Sequence, residues 1–282
     1  MLKAVFAAAT VCAALWTGMA QAAEIAKLYD ALPAHYQENG VNVAVFNDWA
    51  PDEFVDKDGK LEGWSVDLAR AIQDRLGVPF HYQATSFDAV IPGLVAKRFD
   101  AGFASFGSTP ERLKVLDFVP QRKIGTGFAV PASSDLKIDD VRDICGVTFA
   151  VQAGSWDDQT LTRLDKEECV AKGRPAVKFE RQKDQASAEL AVRSGRAQAT
   201  IAADVKLAYA AKQTGALKLT SLVLAPVDSC IGVRKGDPLG KVLADALQSL
   251  VDDGTYEKIM KKWGIADDRM LKKITVITGN DS

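Results

Sequence analysis

One arginine stands where the sequence predicts the start of a helix. In the stretch FASFGSTPERLK (103–114), Thr109 and Pro110 are typical of a helix N-cap and first helical position, so Arg112 falls in the first turn. A cation there costs a few tenths of a kcal/mol, because the free backbone N–H groups make that end of a helix positive. The position suits either a solvated surface arginine or an arginine that meets an anion together with those N–H groups.

Composition and motifs exclude several classes of function. The chain has 282 residues, enough for one large domain or two lobes, and a formal net charge of −2, which gives no support for a nucleic-acid partner. The two histidines, His35 and His81, lie far apart, and HExxH, paired CxxC and GxxxxGK[ST] motifs are absent from the sequence. We therefore predict no metal site, no phosphate-binding loop and no cofactor.

The first 22 residues have the pattern of an export signal. Lys3 is followed by an apolar run, and the segment ends in the small-residue cleavage pattern Ala20-Gln21-Ala22. The alternative is an N-terminal membrane anchor, but the apolar run is short for a span and a polar segment follows at once. We expect an exported mature chain that begins near Ala23.

Export leaves three cysteines in the mature chain. An oxidising compartment favours one disulfide and one remaining thiol. We predict a Cys145–Cys169 bond, which would contribute roughly 3–4 kcal/mol by the chain-entropy model, and a buried Cys230. A Cys169–Cys230 pair is the alternative.

Short apolar runs alternate with helical patterns along most of the chain, which is typical of parallel α/β sheets with covering helices. Two segments share one pattern of helix, basic turn and short strand: GLVAKRFDAGFASFGS (93–108) and ELAVRSGRAQATIAADV (189–205). Such sheets bind ligands beyond the carboxyl ends of their strands. The SFGST loop (105–109) and Asp204 are therefore the places to expect a ligand, held between two halves.

In several sequence motifs the chain resembles the periplasmic solute-binding proteins of polar amino-acid ABC transporters, which form bacterial solute-binding protein family 3. The resemblance rests on the ordered blocks DGKLEGWSVDLARAIQDRLGV, STPERLKVLDF, SGRAQATIAAD and GVRKGDP, and spans about residues 41–264. It implies an α/β fold of two lobes, the type II periplasmic-binding-protein fold. Lobe 1 would comprise 23–128 and 230–282, and lobe 2 would comprise 129–229, with crossings near 127–131 and 225–230.

The resemblance also implies roles for individual residues. Arg112 would bind the α-carboxylate of the ligand, for which a planar guanidinium offers two donors. Asp204 would accept the α-ammonium group, although its place between a strand and a helix equally suits an N-cap. The remaining expected contacts are aromatic packing and backbone or hydroxyl donors from Trp49, Phe87, Phe46, Ser105, Thr109, Ser155 and Trp156. For Trp49 and Phe87, plain core packing is the alternative.

Departures from the family pattern bear on the ligand. Phe46 stands where binders of histidine, lysine or arginine carry an Asp, Gly107 replaces a hydroxyl residue, and Trp156 stands where a Thr is common. Ser65 replaces an acid of the signature. The pocket would be more aromatic than a site for a dibasic amino acid. A neutral, apolar or bulky substituted amino acid, opines included, fits better.

The predicted function is binding without chemistry. A small-molecule amino acid or derivative would be delivered to an inner-membrane ABC permease by a protein expected to be a monomer. Three alternatives stay open: a periplasmic cyclohexadienyl dehydratase on the same fold, for which Asp52 and Glu53 are the unassigned acids; a ligand-loaded partner of a chemoreceptor; and a homologue that has lost its ligand.

Overall fold

The computed structural model describes residues 23–279, so the predicted export signal lies outside the described residues. Its strands are β1 (Val41–Phe46), β2 (Asp48–Trp49), β3 (Glu53–Val55), β4 (Leu61–Glu62), β5 (Phe80–Thr85), β6 (Ala101–Phe106), β7 (Leu116–Pro131), β8 (Thr148–Gln152), β9 (Lys178–Gln182), β10 (Ala199–Ala203) and β11 (Leu217–Arg234). Its helices are α1 (23–31), α2 (Ala34–Asn39), α3 (Trp64–Leu76), α4 (Phe87–Val95), α5 (Trp156–Leu164), α6 (Gln185–Arg193), α7 (Asp204–Thr214), α8 (Leu239–Asp252) and α9 (Thr255–Lys262).

Eight strands form one mixed sheet in the order β5-β1-β6-β11-β7-β10-β8-β9. The outer strands of each half run parallel, as the alternation of strands and helices predicts. The two central strands, β7 and β11, are antiparallel to each other. We call the half around β5, β1 and β6 lobe 1 and the half around β10, β8 and β9 lobe 2. A small antiparallel sheet, β2-β3-β4, belongs to lobe 1.

The long strands β7 and β11 connect the lobes. The sequence predicts one short strand over 125–130 and two short strands over 217–224 and 229–236, whereas the structure has one 16-residue and one 18-residue strand. The partner of β7 changes early: Thr126 to Ala129 already pair with β10 of lobe 2. This pairing with β10 begins one residue before the expected 127–131 crossing and overlaps it. Strand β7 also pairs with β11 along most of its length, with three register shifts, so the backbone stays extended through this region.

Lobe 1 buries its apolar residues between the sheet and helices α3 and α8, with Trp64, Ile72 and Leu247 fully buried. The N-terminal helices complete this core through Leu28, Leu32 and Tyr36. The sequence pattern over 238–263 predicts a single long helix, but the structure has two helices there, α8 and α9. Gly254 takes a left-handed φ of 79° between them, which breaks the helix at a residue without a Cβ.

Lobe 2 has its own core around Phe128, Phe149 and Ile201. The Cys145–Cys169 disulfide joins the segment before β8 to the end of the turns after α5, which confirms the predicted pairing. Cys230 is a free, buried thiol, as expected. Within residues 23–279 no helix is both long and apolar enough to cross a membrane.

Candidate functional site

A narrow cavity lies between the lobes, beyond the ends of β6 and β8. Its volume of about 20 Å³ has room for about one water molecule, so the lobes are closed on each other. The residues that line it are Phe46, Trp49, Phe87, Ala104, Ser105, Gly107, Arg112, Ile124, Gln152, Ser155, Trp156 and Asp157. Seven of the nine residues expected to bind the ligand are among them; Thr109 and Asp204 are not.

The lobe 1 wall of the cavity is aromatic. Phe46 lies 5.6 Å from Phe87 and 6.0 Å from Trp49, measured between ring centroids. On its outer side, Trp49 meets the ammonium group of Lys206 of lobe 2, at 5.8 Å from the ring centroid. These rings offer an apolar, polarisable surface to a ligand.

Trp156 closes the cavity from lobe 2 and fits against Gly107. A Cβ built at Gly107 would lie 2.6 Å from Cε3 of the indole, which is closer than real contacts allow. Two departures from the family pattern therefore depend on each other: the indole of Trp156, where a Thr is common, fits only because Gly107 stands in place of a hydroxyl residue. The glycine gives the indole the space that a side chain would take.

Arg112 lies in a single 3-10 turn, Arg112–Lys114, and the helix predicted from Thr109-Pro110 is limited to one turn, in which the backbone N–H of Leu113 donates to the carbonyl of Thr109 at 2.9 Å. Strand β7 begins at Leu116 and leaves no room for a longer helix, so the argument from a helix dipole is wrong. Thr109 has a cap-like role nonetheless, because its Oγ1 accepts the backbone N–H of Arg112 at 3.3 Å. Thr109 thus positions Arg112 without lining the cavity.

The Arg112 guanidinium bridges the lobes. It donates to the carbonyl of Gly107 in lobe 1 at 2.9 Å and to the carbonyl of Gly154 in lobe 2 at 3.0 Å. The rings of Phe87 and Phe106 lie 5.4 Å from its central carbon. Burial lowers the pKa of Arg112 to about 10, so the group stays cationic at neutral pH. Within the described residues, this cation is held by two carbonyl groups and two rings and forms no salt bridge with a carboxylate.

Ser105 lines the cavity, but its hydroxyl points to a buried acid pair. Its Oγ lies 2.9 Å from Asp52 Oδ2 and 3.1 Å from Glu53 Oε2. Both oxygens of Asp52 accept from the Arg122 guanidinium, which is fully buried. Burial, and then the charge of Asp52, raise the pKa of Glu53 well above its ordinary value. The hydroxyl expected to contact a ligand is thus engaged below the cavity wall.

Asp204 does not reach the cavity surface. Its Oδ2 accepts from Arg269 Nη2 at 3.1 Å, and its Oδ1 accepts the backbone N–H of Val205 at 2.8 Å. Arg269 comes from the C-terminal segment of lobe 1, so this ion pair joins the two lobes. Sequence reasoning missed Arg269, because a contact 65 residues away along the chain leaves no local signal.

Asp157 is the carboxyl group that lobe 2 presents to the cavity, and sequence reasoning missed it. Ser155 caps α5 by accepting the backbone N–H of Asp158, which places Trp156 and Asp157 in the first turn. Acids are common there, so Asp157 carries no distinctive signal. Thr126 donates to Asp157 Oδ1 at 3.1 Å. Burial raises the pKa of Asp157 to about 6, against the opposing effects of the Thr126 hydrogen bond and the Arg112 charge.

This geometry agrees with the comparison to known proteins. The family model for bacterial extracellular solute-binding proteins, family 3, matches residues 41–266. The chain belongs to this family. The span agrees with the 41–264 range of the motifs, and the type II two-lobed fold is confirmed by solved structures.

Relatives whose names describe the binding of an amino acid or of octopine align with most of the length of this solute-binding protein. It is 28% identical over 238 residues to the arginine-binding protein ArgT of Corynebacterium glutamicum, covering 84% of this chain and 78% of the relative. It is 26% identical to the octopine-binding periplasmic protein of Rhizobium meliloti, covering 90% and 95%. A solved ancestral amino acid-binding protein, AncCDT-1, described as a precursor of cyclohexadienyl dehydratase, is 29% identical with a TM-score of 0.72, covering 81% and 97%.

The cavity lies at the closed interface of the lobes, between side chains of both. Arg112 and Asp157 supply opposite charges to it, and four aromatic side chains supply its apolar wall. In residues 23–279 no group of three or more His, Cys, Asp or Glu side chains is arranged to hold a metal ion.

Proposed function

We propose that this protein binds an amino acid or an amino-acid derivative in the periplasm and delivers it to an ABC-transporter permease in the inner membrane. The observation that carries the proposal is the position of Arg112 and Asp157 on opposite walls of one cavity that is flanked by aromatic rings. The names of the relatives, for arginine and for octopine, support the same class of solute.

Binding must begin in an open conformation, because the closed cavity has room for about one water molecule. When the lobes separate, Arg112 loses the Gly154 carbonyl and is free to donate to an α-carboxylate. The flat aromatic surface of lobe 1, Phe46, Trp49 and Phe87, then packs against the side chain of the ligand. Closure brings Ser155, Trp156 and Asp157 onto the same molecule.

Closure would also complete the surface that a permease recognises. The long strands β7 and β11 connect the lobes, and hinge motion within them would change the relative orientation of the lobes. We infer that the protein acts as a monomer, that residues 1–22 are the export signal, and that the chain is a carrier without catalytic activity.

The aromatic lining favours a neutral, apolar or bulky substituted amino acid over lysine, arginine or histidine. Phe46 occupies the wall where a cationic side chain would need an acid, and both the Asp52 and Glu53 carboxyl groups are turned to Ser105 and Arg122. Because two relatives are named for the binding of arginine and octopine, both solutes must be among the compounds that are tested.

The test is a series of thermal melts of the mature protein with amino acids, opines, prephenate and arogenate. A solute at 100 times its dissociation constant adds about 2.7 kcal/mol of stability, a shift of a few degrees for a chain of this size. A shift confined to one class of amino acids is expected. No shift with any amino acid or opine would contradict the proposal.

A second candidate is a cyclohexadienyl dehydratase. The likeness to a precursor of that enzyme favours it, and Asp157 is a cavity carboxyl whose pKa of about 6 would let it give up a proton near neutral pH. Turnover of prephenate or arogenate by the wild type, lost in Asp157→Asn, would establish this activity. A chemoreceptor partner would use the same site and is distinguished by capture of the partner protein.

A further inference from the structure

Two carboxyl groups of lobe 2 lie near the closed cleft, but their surroundings differ. Asp204 is compensated, because Arg269 holds one of its oxygens and a backbone N–H holds the other. Gly125 on β7 makes room for this ion pair. A Cβ there would lie 2.8 Å from Asp204 Oδ2 and 3.1 Å from Arg269 Nη1.

Asp157 is not compensated. It is buried and lines the cavity, and its side-chain donor is the neutral hydroxyl of Thr126. No lysine or arginine of residues 23–279 forms a salt bridge with it. The charge of Arg112 lowers the pKa of Asp157, but the Arg112 guanidinium donates to two carbonyl groups.

We propose that Asp157, and not Asp204, accepts the α-ammonium group of the solute, and that Arg269 keeps Asp204 out of that role. This inference rests on the proposed function and sharpens it. The solute is then a zwitterion whose carboxylate binds Arg112 and whose ammonium binds Asp157, with its side chain against the aromatic wall. Acids of the same shape without the amino group are rejected, because they leave the Asp157 carboxylate buried without a partner.

The ion pair explains why one of the two acids is available. An ammonium group that approached Asp204 would have to displace a guanidinium already paired with it. An ammonium group that binds Asp157 displaces no cation and gains a charge-assisted hydrogen bond.

The experiment compares amino acids with their desamino analogues by calorimetric titration. The probe pairs are leucine and isocaproate, phenylalanine and hydrocinnamate, and arginine and guanidinovalerate. The variants are Asp157→Asn and the double variant Asp204→Asn with Arg269→Gln, which removes both partners of the ion pair and leaves no unpaired cation. Asp228→Asn, an acid at the cleft mouth that pairs with Lys123, is the matched control.

We expect the wild type to prefer the amino acid of one pair by at least about tenfold, the effect of one charged hydrogen bond. The preference falls below about threefold in Asp157→Asn and persists in the Asp204–Arg269 double variant and in the control. Preference lost in the double variant but retained in Asp157→Asn overturns the assignment and returns the role to Asp204. Preference retained in both variants overturns the assignment as well. The proposed function itself fails only if the wild type binds none of the amino acids or opines of the thermal melts.

Discussion

Two buried acid clusters border the cleft, and they are built differently. Under the lobe 1 wall, Asp52 is held by Arg122 and Ser105, and Glu53 shares the Ser105 hydroxyl. On the lobe 2 wall, the donors to Asp157 are neutral: the Thr126 hydroxyl and the backbone N–H of Asp157 itself. We call the first cluster complete because an internal cation pairs with the Asp52 charge, although Glu53 Oε1 and Arg122 Nε have no hydrogen-bond partner; this cluster fixes the shape of one wall. The second is incomplete, which marks the place where a ligand supplies the missing charge.

The difference also bears on opening and closing. Closing the lobes over an ionised Asp157 removes a carboxylate from water without a paired cation, which is unfavourable. A bound ammonium group removes that cost. The incomplete cluster thus links closure to the presence of a solute. The charges of the Asp52–Arg122 cluster are paired whether or not a solute is bound.

The largest expected effect comes from breaking the complete cluster. Arg122→Met leaves Asp52 buried without a cation, and we expect a loss of about 3–5 kcal/mol in the free energy of unfolding, measured with urea. The double variant Arg122→Met with Asp52→Asn should recover most of that loss, because it leaves no unpaired charge. A loss below about 1 kcal/mol in Arg122→Met would show that the cluster does not support the wall.

Removing the charge of the incomplete cluster should raise the free energy of unfolding instead of lowering it. The folded-state pKa of Asp157, about 6, lies above its ordinary value of 3.8. Its contribution to stability is therefore fully present below pH 3.8 and is lost as the pH rises through 6. The side chain at position 157 of the Asp157→Asn variant does not titrate. We therefore expect the free energy of unfolding of this variant to rise, relative to that of the wild type, by up to about 3 kcal/mol between pH 4 and pH 7.

The measurement is urea unfolding of both proteins without solute across that pH range. The other carboxyl groups titrate in both proteins and cancel in the difference. A difference that stays flat with pH would mean that Asp157 is hydrated like a surface acid.

A smaller effect is expected where the two walls meet. Gly107→Ser places a Cβ against the Trp156 indole in the closed conformation. Overpacking of this kind costs about 1–3 kcal/mol, so we expect solute affinity to fall roughly tenfold or more. The melting temperature without solute should change little, since the contact forms on closure. Adding Trp156→Thr should restore affinity in part; an unchanged affinity in Gly107→Ser alone would argue against this contact in the bound state.

The sequence predicted the fold class and the disulfide, and seven of the nine residues that it singled out line the cavity. Those features leave local signals: alternating strand and helix patterns, cysteines beside apolar runs, and Arg112 within a motif. A shorter β7 and a divided β11 were expected, because the pairing of these two strands across the lobes is a tertiary effect. The helix at Thr109-Pro110 is limited to one turn because β7 begins at Leu116.

The charge arrangement of lobe 2 could not be read from the sequence. An Asp in the first turn of a helix is common, so Asp157 resembled an ordinary helix-start residue. Asp204 carried a motif, but its availability depends on Arg269 in the C-terminal segment. Both facts depend on which side chains fold together, and local patterns carry no record of that.

The central claim is that Arg112 holds a carboxylate-bearing solute between the lobes. Calorimetric titration of the amino acid with the largest thermal shift, into the wild type, Arg112→Met and the exposed-arginine control Arg142→Met, tests it most directly. The account predicts an affinity at least about tenfold lower in Arg112→Met, from the loss of charge-assisted hydrogen bonds, with no change in the control. Equal affinity in all three proteins would contradict it.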